Sequence, residues 1–132
     1  MDLNYINPQN LATPRGYSHA VSVSGNHKTI YIGGQNAIDE KRNLVGKNNL
    51  KEQTTQALEN IEKILNEENA KLENIVKFNI YLVQGQKPQE GFEAFQQKWR
   101  GNKFPAITVV FVAALGNPDW LVEIDAIAVV PE

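Results

Sequence analysis

Phe104 to Val130 reads FPAITVVFVAALGNPDWLVEIDAIAVV. From Ile107 to Leu115 the stretch is apolar on both side-chain parities. Ile107, Val109, Phe111 and Ala113 share one face, and Thr108, Val110, Val112 and Ala114 share the other. A strand of this kind requires cover on two sides. Gly116, Asn117, Pro118 and Asp119 supply turn chemistry, because Gly and Pro set special backbone angles while Asn and Asp bond their own backbone. Trp120 to Val130 resumes as strand. Its even residues, Val122, Ile124, Ala126, Ala128 and Val130, form a continuous core face, so the odd set places two carboxylates, Glu123 and Asp125, on the opposite face.

Working back from there, the first 17 residues hold Asn4, Asn7, Pro8, Gln9, Asn10, Pro14 and Gly16, which leaves room only for a short edge strand drawing on Leu3, Tyr5 and at most Leu11. Tyr17 to Val23 alternates and reads as a strand. Gly25 and Asn26 signal a turn, and the run starting at Thr29 to Ile32 is expected to close a hairpin with the strand before it. The pair Gly33 and Gly34 then suggests a bulge or a close approach by a backbone or ligand.

From Leu50 the period changes. Thr54, Ala57, Leu58, Ile61, Ile64 and Leu65 recur at three- and four-residue spacing, which predicts a helix capped by Asn48 or Asn49 and running to about Glu68. Val76, Phe78, Ile80 and Leu82 mark a further strand. Gly85 and Pro88 break it, and a second helix from about Gln89 carries Phe92, Phe95, Gln96 and Trp99 on its inner side.

The order β-β-β-α-β-α-β-β predicts one α+β domain over residues 1–132. Its mixed sheet of about six strands carries two helices on one face. Two helices cannot cover both faces, so the bare face is expected to meet another copy of the chain.

The bulk numbers bound the function. With 132 residues, 42% hydrophobic and 21% charged, the chain has the make-up of a globular domain, and a net charge of -2 gives no general attraction to nucleic acid or anionic membrane. No apolar run reaches the roughly 20 residues of a spanning helix, and no signal-peptide pattern opens the chain, so the cytoplasm is the expected location. There is no cysteine, which removes disulfides, thiolate nucleophiles and cysteine metal sites. His19 and His27, without a local carboxylate cluster, make only a weak case for a metal, and no cofactor is called for.

Several segments together resemble the YjgF/RidA/L-PSP family, the reactive-intermediate deaminases. Gly16-Tyr17-Ser18-His19-Ala20-Val21 is similar to that family's GPYSQAV segment, and Gly33-Gly34-Gln35 to its SGQ. The long helix followed by Leu72 to Leu82 matches its middle; Phe104-Pro105-Ala106 and Val122 to Ala128 match its C-terminal signature. The resemblance implies a chorismate-mutase-like fold of the bacillus type, homotrimers, and three clefts at the subunit interfaces. It also implies hydrolysis of imines or enamines released by pyridoxal-phosphate enzymes, freeing ammonia and a keto acid. An activity on RNA has been attributed to some members; the net charge and the lack of a basic aromatic patch disfavour it here.

Carried over by that resemblance, Tyr17 takes the place of a pocket tyrosine and Gly34 that of a backbone position lining the cleft. Glu123 takes the place of the acidic residue that positions the attacking water. Imine hydrolysis needs a base to aim water at carbon and an acid to protonate the leaving nitrogen, and a half-buried carboxylate can supply both. The alternatives are an ordinary strand tyrosine, a plain bulge and an edge-strand surface carboxylate. Asp125 reads as an exposed or interface charge.

The departures from the pattern concern the same cleft. The family arginine that grips a substrate carboxylate through two hydrogen bonds is here Ile107, and the frequent cysteine two residues on is Val109. The serine before Gly-Gln is Gly33, and a pocket asparagine at the start of the second helix aligns with Glu90. Arg15 is the one nearby cation able to replace the guanidinium, although an arginine in a Pro-Arg-Gly loop is more commonly solvated. These changes strip the cleft of its cation and favour a neutral or cationic small metabolite over an anion. Two readings stay open: a small-molecule-binding protein without efficient 2-imino-acid hydrolysis, and a hydrolase acting on a different reactive metabolite with Glu123 as acid and base and Tyr17 assisting.

Overall fold

A computed structural model describes residues 1–132. Six strands and two helices follow in the expected order: β1 Asp2–Ile6, β2 Ala20–Ser24, β3 His27–Gln35, α1 Leu50–Asn66, β4 Ile75–Val83, α2 Pro88–Lys98, β5 Ala106–Val112 and β6 Val122–Pro131. A single 3-10 turn, Leu72–Asn74, leads into β4. The six strands fall into a four-stranded ladder ordered β3-β6-β4-β5 and a two-stranded ladder β1-β2. A parallel bridge between Ser18 and Ala106 joins them, with the Ser18 amide donating to the Pro105 carbonyl at 2.9 Å.

The order of pairing corrects one expectation. β2 does not close a hairpin with β3; it pairs antiparallel with β1, Val21 against Tyr5 and Val23 against Leu3. β3 pairs with β6 instead. Gly25, at φ +82, turns the chain between β2 and β3, but a turn signal does not specify which strands it makes neighbours. Here β6, with 10 residues, offers the 9-residue β3 a longer ladder than the 5-residue β2 does. Because β3 and β4 both run antiparallel to β6, they are parallel to each other, and β4 is parallel to β5. Helices α1 and α2 are therefore the crossovers of two βαβ units, with β6 inserted between the strands of the first.

α1 starts where Asn49 accepts a hydrogen bond from the Glu52 amide at 3.0 Å, an N-cap that satisfies one orphan donor of the first turn. It buries Leu50, Thr54, Ala57, Leu58, Ile61 and Leu65 against the sheet. Each large side chain there contributes about 1.5–3 kcal/mol by leaving water. α2 begins with Pro88 in its first turn, where the missing N–H is harmless. It lies against α1 and the sheet through an aromatic column: Phe92, Phe95, Trp99 and Phe104 stack with centroids 6.4, 5.4 and 6.3 Å apart, and Phe78 meets Phe95 edge-on. At the far end Lys98 reaches Glu62 at 2.9 Å and Glu59 at 3.5 Å. The Glu62 hydrogen bond, ahead of the carboxylate charges, holds its ammonium above the ordinary lysine range.

The other face of the sheet carries no helix. Cross-strand partners Tyr81 and Glu123, Asn79 and Asp125, and Tyr31 and Ile127 all stand on it. Tyr31 is 79% exposed.

One buried polar side chain ties three segments together. Gln53, fully buried on α1, donates to the carbonyls of Gly46 and Asp119 at 3.2 and 3.0 Å and accepts from the Leu121 amide at 2.9 Å. It thus fixes the loop before α1 and the turn before β6 in one stroke. Replacing Gln53 by Leu keeps the volume roughly but orphans one donor and two acceptors. A loss of about 2–4 kcal/mol in urea unfolding is expected; a change below about 0.5 kcal/mol would show that these groups find water instead.

Candidate functional site

The sheet face under the helices contains a cavity of about 450 Å³ between α2 and the strands. Its mouth lies where the loop before β2 meets β5, with Arg15, Gly16, Tyr17, Ile107 and Val109 around it. The bridge from Ser18 to Ala106 brings Tyr17 and Ile107 to this point, although 90 residues separate them in sequence. Ile107 pairs with Phe78 and Val109 with Ile80, so both strand residues point to the helix side. Val109 remains 48% exposed and Phe111 53%, because β5 is an edge strand whose outer side is paired only at Ala106.

Gly16 needs its lack of a side chain here. Its φ is +78, and a Cβ would sit 2.8 Å from Cζ of Phe92. The Phe92 ring on α2 therefore rests directly on the loop backbone and shapes one edge of the mouth. Tyr17 meets His19 edge-on at 5.5 Å, and the His19 ring is itself tied to the Ala12 carbonyl at 2.7 Å. Arg15 is exposed and makes no ion pair, which leaves its guanidinium free at the rim.

Glu123 occupies a different place. It lies on β6, two strands away from β5 and on the helix-free face, so roughly 10 Å of sheet and the sheet's own thickness separate it from Ile107. There it is held firmly. Asn36 Nδ2 donates to its Oε1 at 3.1 Å and to the Val122 carbonyl at 3.3 Å. The Asn36 carbonyl in turn accepts from Asn60 Nδ2 at 3.0 Å, and Asn60 Oδ1 accepts from Gln56 at 2.9 Å. A polar chain thus runs from helix α1 through the loop after β3 to the carboxylate.

Gly34 is the other half of this arrangement. A Cβ on it would lie 2.5 Å from Glu123 Oε2, so the glycine is the socket into which the carboxylate fits. At Gly33 an added Cβ would meet nothing within 4 Å. The register slips between Ile32 and Gln35, the expected bulge.

Two candidates sit elsewhere. Glu90 is exposed on the first turn of α2, with its neighbours Gln89 and Gly91 facing the cavity. Asp125 shares the Glu123 face and accepts from Asn79 Nδ2 at 2.8 Å and from Tyr81 Oη at 3.1 Å. That hydrogen bond, followed by the charges of Asp125 and Glu123, raises the Tyr81 phenol above its ordinary pKa, so it stays a donor. Asn36 and Asn60 escaped the sequence reading. The only signal was an asparagine directly after the Gly-Gly-Gln bulge.

One chain therefore brings Tyr17, Arg15, Ile107 and Val109 together, and separately Gly34, Glu123 and Asn36. It does not unite the two groups.

Comparison with known proteins places the chain in a family. The family described as Endoribonuclease L-PSP matches residues 8–130. The chain belongs to that family, the YjgF/RidA/L-PSP proteins. A RutC family protein of Pyrococcus abyssi is 37% identical over 85% of this chain and 84% of its own length. The human 2-iminobutanoate/2-iminopropanoate deaminase is 33% identical over 86% of this chain and 79% of its own. Among solved structures, the Rid family protein YyfB of Yersinia pestis superposes with a TM-score of 0.85 at 32% identity, covering 97% of this chain and 98% of that one.

The contrast between the two glycines is testable. Gly33→Ala should leave stability within about 0.5 kcal/mol. Gly34→Ala should fold but push the flexible Glu123 side chain off Asn36, visible in a crystal structure of the variant. An unmoved carboxylate over an alanine would refute the socket.

Proposed function

We propose that the protein is a small-molecule-binding member of the YjgF/RidA/L-PSP family that works in the cytoplasm as a homotrimer, with a ligand cleft at each subunit interface. In this reading it is not an efficient 2-imino-acid deaminase, because Ile107 stands where the family places the arginine that grips the substrate carboxylate. The observation that carries the reading is the site of Ile107 itself: it lines an apolar cavity mouth beside Val109 and Tyr17, and Arg15 is the one cation there.

The homotrimer is supported by the division of the candidate residues between two sheet faces and by the helix-free face, on which Tyr31 is exposed and Ile127 only half-buried. A closed ring of copies sets the Glu123 half of one protomer against the Tyr17 half of the next. A carboxylate normally held by a two-pronged arginine loses a few kcal/mol when an isoleucine takes its place, so binding of an amino-acid-derived imine falls by roughly two orders of magnitude or more.

A second reading keeps hydrolysis but changes the substrate. It is supported by the way Asn36 fixes Oε1 of Glu123, which leaves Oε2 over Gly34 as a free acceptor that can aim a water. In that case Glu123 is acid and base and Tyr17 assists, acting on a neutral or cationic imine or enamine. RNA cleavage, the activity in the family's description, finds no support in a net charge of -2.

The deciding assay generates 2-iminopropanoate from alanine with an amino-acid oxidase and follows its decay. The wild type should accelerate decay by roughly one hundredth or less of what an arginine-containing relative achieves, and Ile107→Arg should recover part of the difference. Acceleration equal to the relative's would end the claim about Ile107.

A further inference from the structure

The cavity does not stop at the cleft mouth. It continues under α2, where Leu58, Ile80, Leu82, Phe95 and Ile124 form its wall. Four of these five are less than 7% exposed, and Ile80 is partly buried, so the inner wall is built from one protomer and the cavity opens to solvent on the side of the mouth. The one hydroxyl in this inner part, Thr54 Oγ1, already donates to the Leu50 carbonyl at 2.8 Å. Polar groups gather only at the rim, as Arg15, Tyr17 and Gln89. Water held inside such walls finds too few partners to compete with bulk solvent, so an apolar body displaces it favourably. A volume of about 450 Å³ lies within the range of small-molecule pockets.

We infer that each protomer carries its own site for an uncharged, largely apolar small molecule, its apolar body under α2 and one polar group at the rim beside Tyr17 and Arg15. The inference rests on the reading that the cleft beside Ile107 does not take carboxylates, and it deepens that reading by naming the ligand class and by placing the ligand's body inside a single chain. A carboxylate or sulfonate on the buried part of the ligand would meet no donor there, whereas an apolar body needs none. The mouth is also passable from solvent, since Phe92 at its edge is 43% exposed and Val109 48%.

The test is a fluorescence titration of the intact protein with uncharged N-phenyl-1-naphthylamine and with its anionic counterpart 1-anilinonaphthalene-8-sulfonate. The neutral probe should bind saturably, one per chain, at least roughly tenfold more tightly than the sulfonate. Ile80→Phe, which fills the interior, and Val109→Trp, which narrows the exposed mouth without touching the core, should each weaken it by roughly tenfold or more. Val109→Trp keeps the test open if Ile80→Phe fails to fold. Tighter binding of the sulfonate would overturn the reading of the cleft as well as this inference. Neutral binding that ignores both substitutions would overturn the site within the protomer and leave the cleft reading standing. No binding until the subunits are separated would mean that a neighbouring chain fills the cavity, and would also overturn it.

Discussion

Much of this molecule follows from the insertion of β6 between β3 and β4. A central strand spends both edges on hydrogen bonds, and its side chains must alternate between two faces. In β6 one parity, Val122, Ile124, Ala126 and Ala128, is buried and makes the floor of the helix-covered core. The other parity sends Glu123 and Asp125 to the bare face. The same strand therefore lines an apolar cavity and presents carboxylates, and no change of side-chain rotamer can bring the two to the same place. A one-residue slip in its register would exchange them, which the bulges opposite Ile32–Gln35 and Ile75–Lys77 and the Gln53 contacts at the preceding turn help to prevent.

Much of this was legible in the residues. The period-two runs located β4, β5 and β6, and the three- and four-residue spacing located both helices, because burial on one face imposes those periods directly. The α1 helix ends at Asn66 rather than near Glu68, where the chain turns through 3-10-like bonds from Glu67 and Glu68. What pattern reading missed was long-range. The partner of β3 depended on β6, nearly 90 residues away, and nothing local to Gly25 and Asn26 encodes it. Gln53 looked like a polar neighbour of the helical stripe, yet it is fully buried because three backbone groups converge on it, one from the loop just before α1 and two from the distant turn before β6. Asn36 was invisible for the same reason: its partners, Glu123 and Asn60, come from other elements.

For the candidate site, the family resemblance pointed to positions that one chain divides between two places, which the resemblance alone could not say. Tyr17, Ile107 and Val109 meet at a cavity mouth, whereas Gly34 and Glu123 form a second group around the Asn36 hydrogen bond. On the proposed reading, Ile107 in the place of the family's arginine changes only one group. The carboxylate has its socket and its amide donor, while the surface around Ile107 is hydrocarbon with Arg15 at its rim. On that reading, such a site keeps a means of handling a proton or a water and loses its grip on an anion, which turns specificity towards uncharged ligands.

The whole scheme requires the two groups to meet across a boundary between copies, with the Tyr31 face turned inward. Native mass spectrometry at low micromolar concentration tests this most directly. A closed trimer predicts one dominant species at three times the 14.8 kDa chain mass; a monomer as the dominant species would leave Glu123 and Tyr17 permanently apart and contradict the shared site.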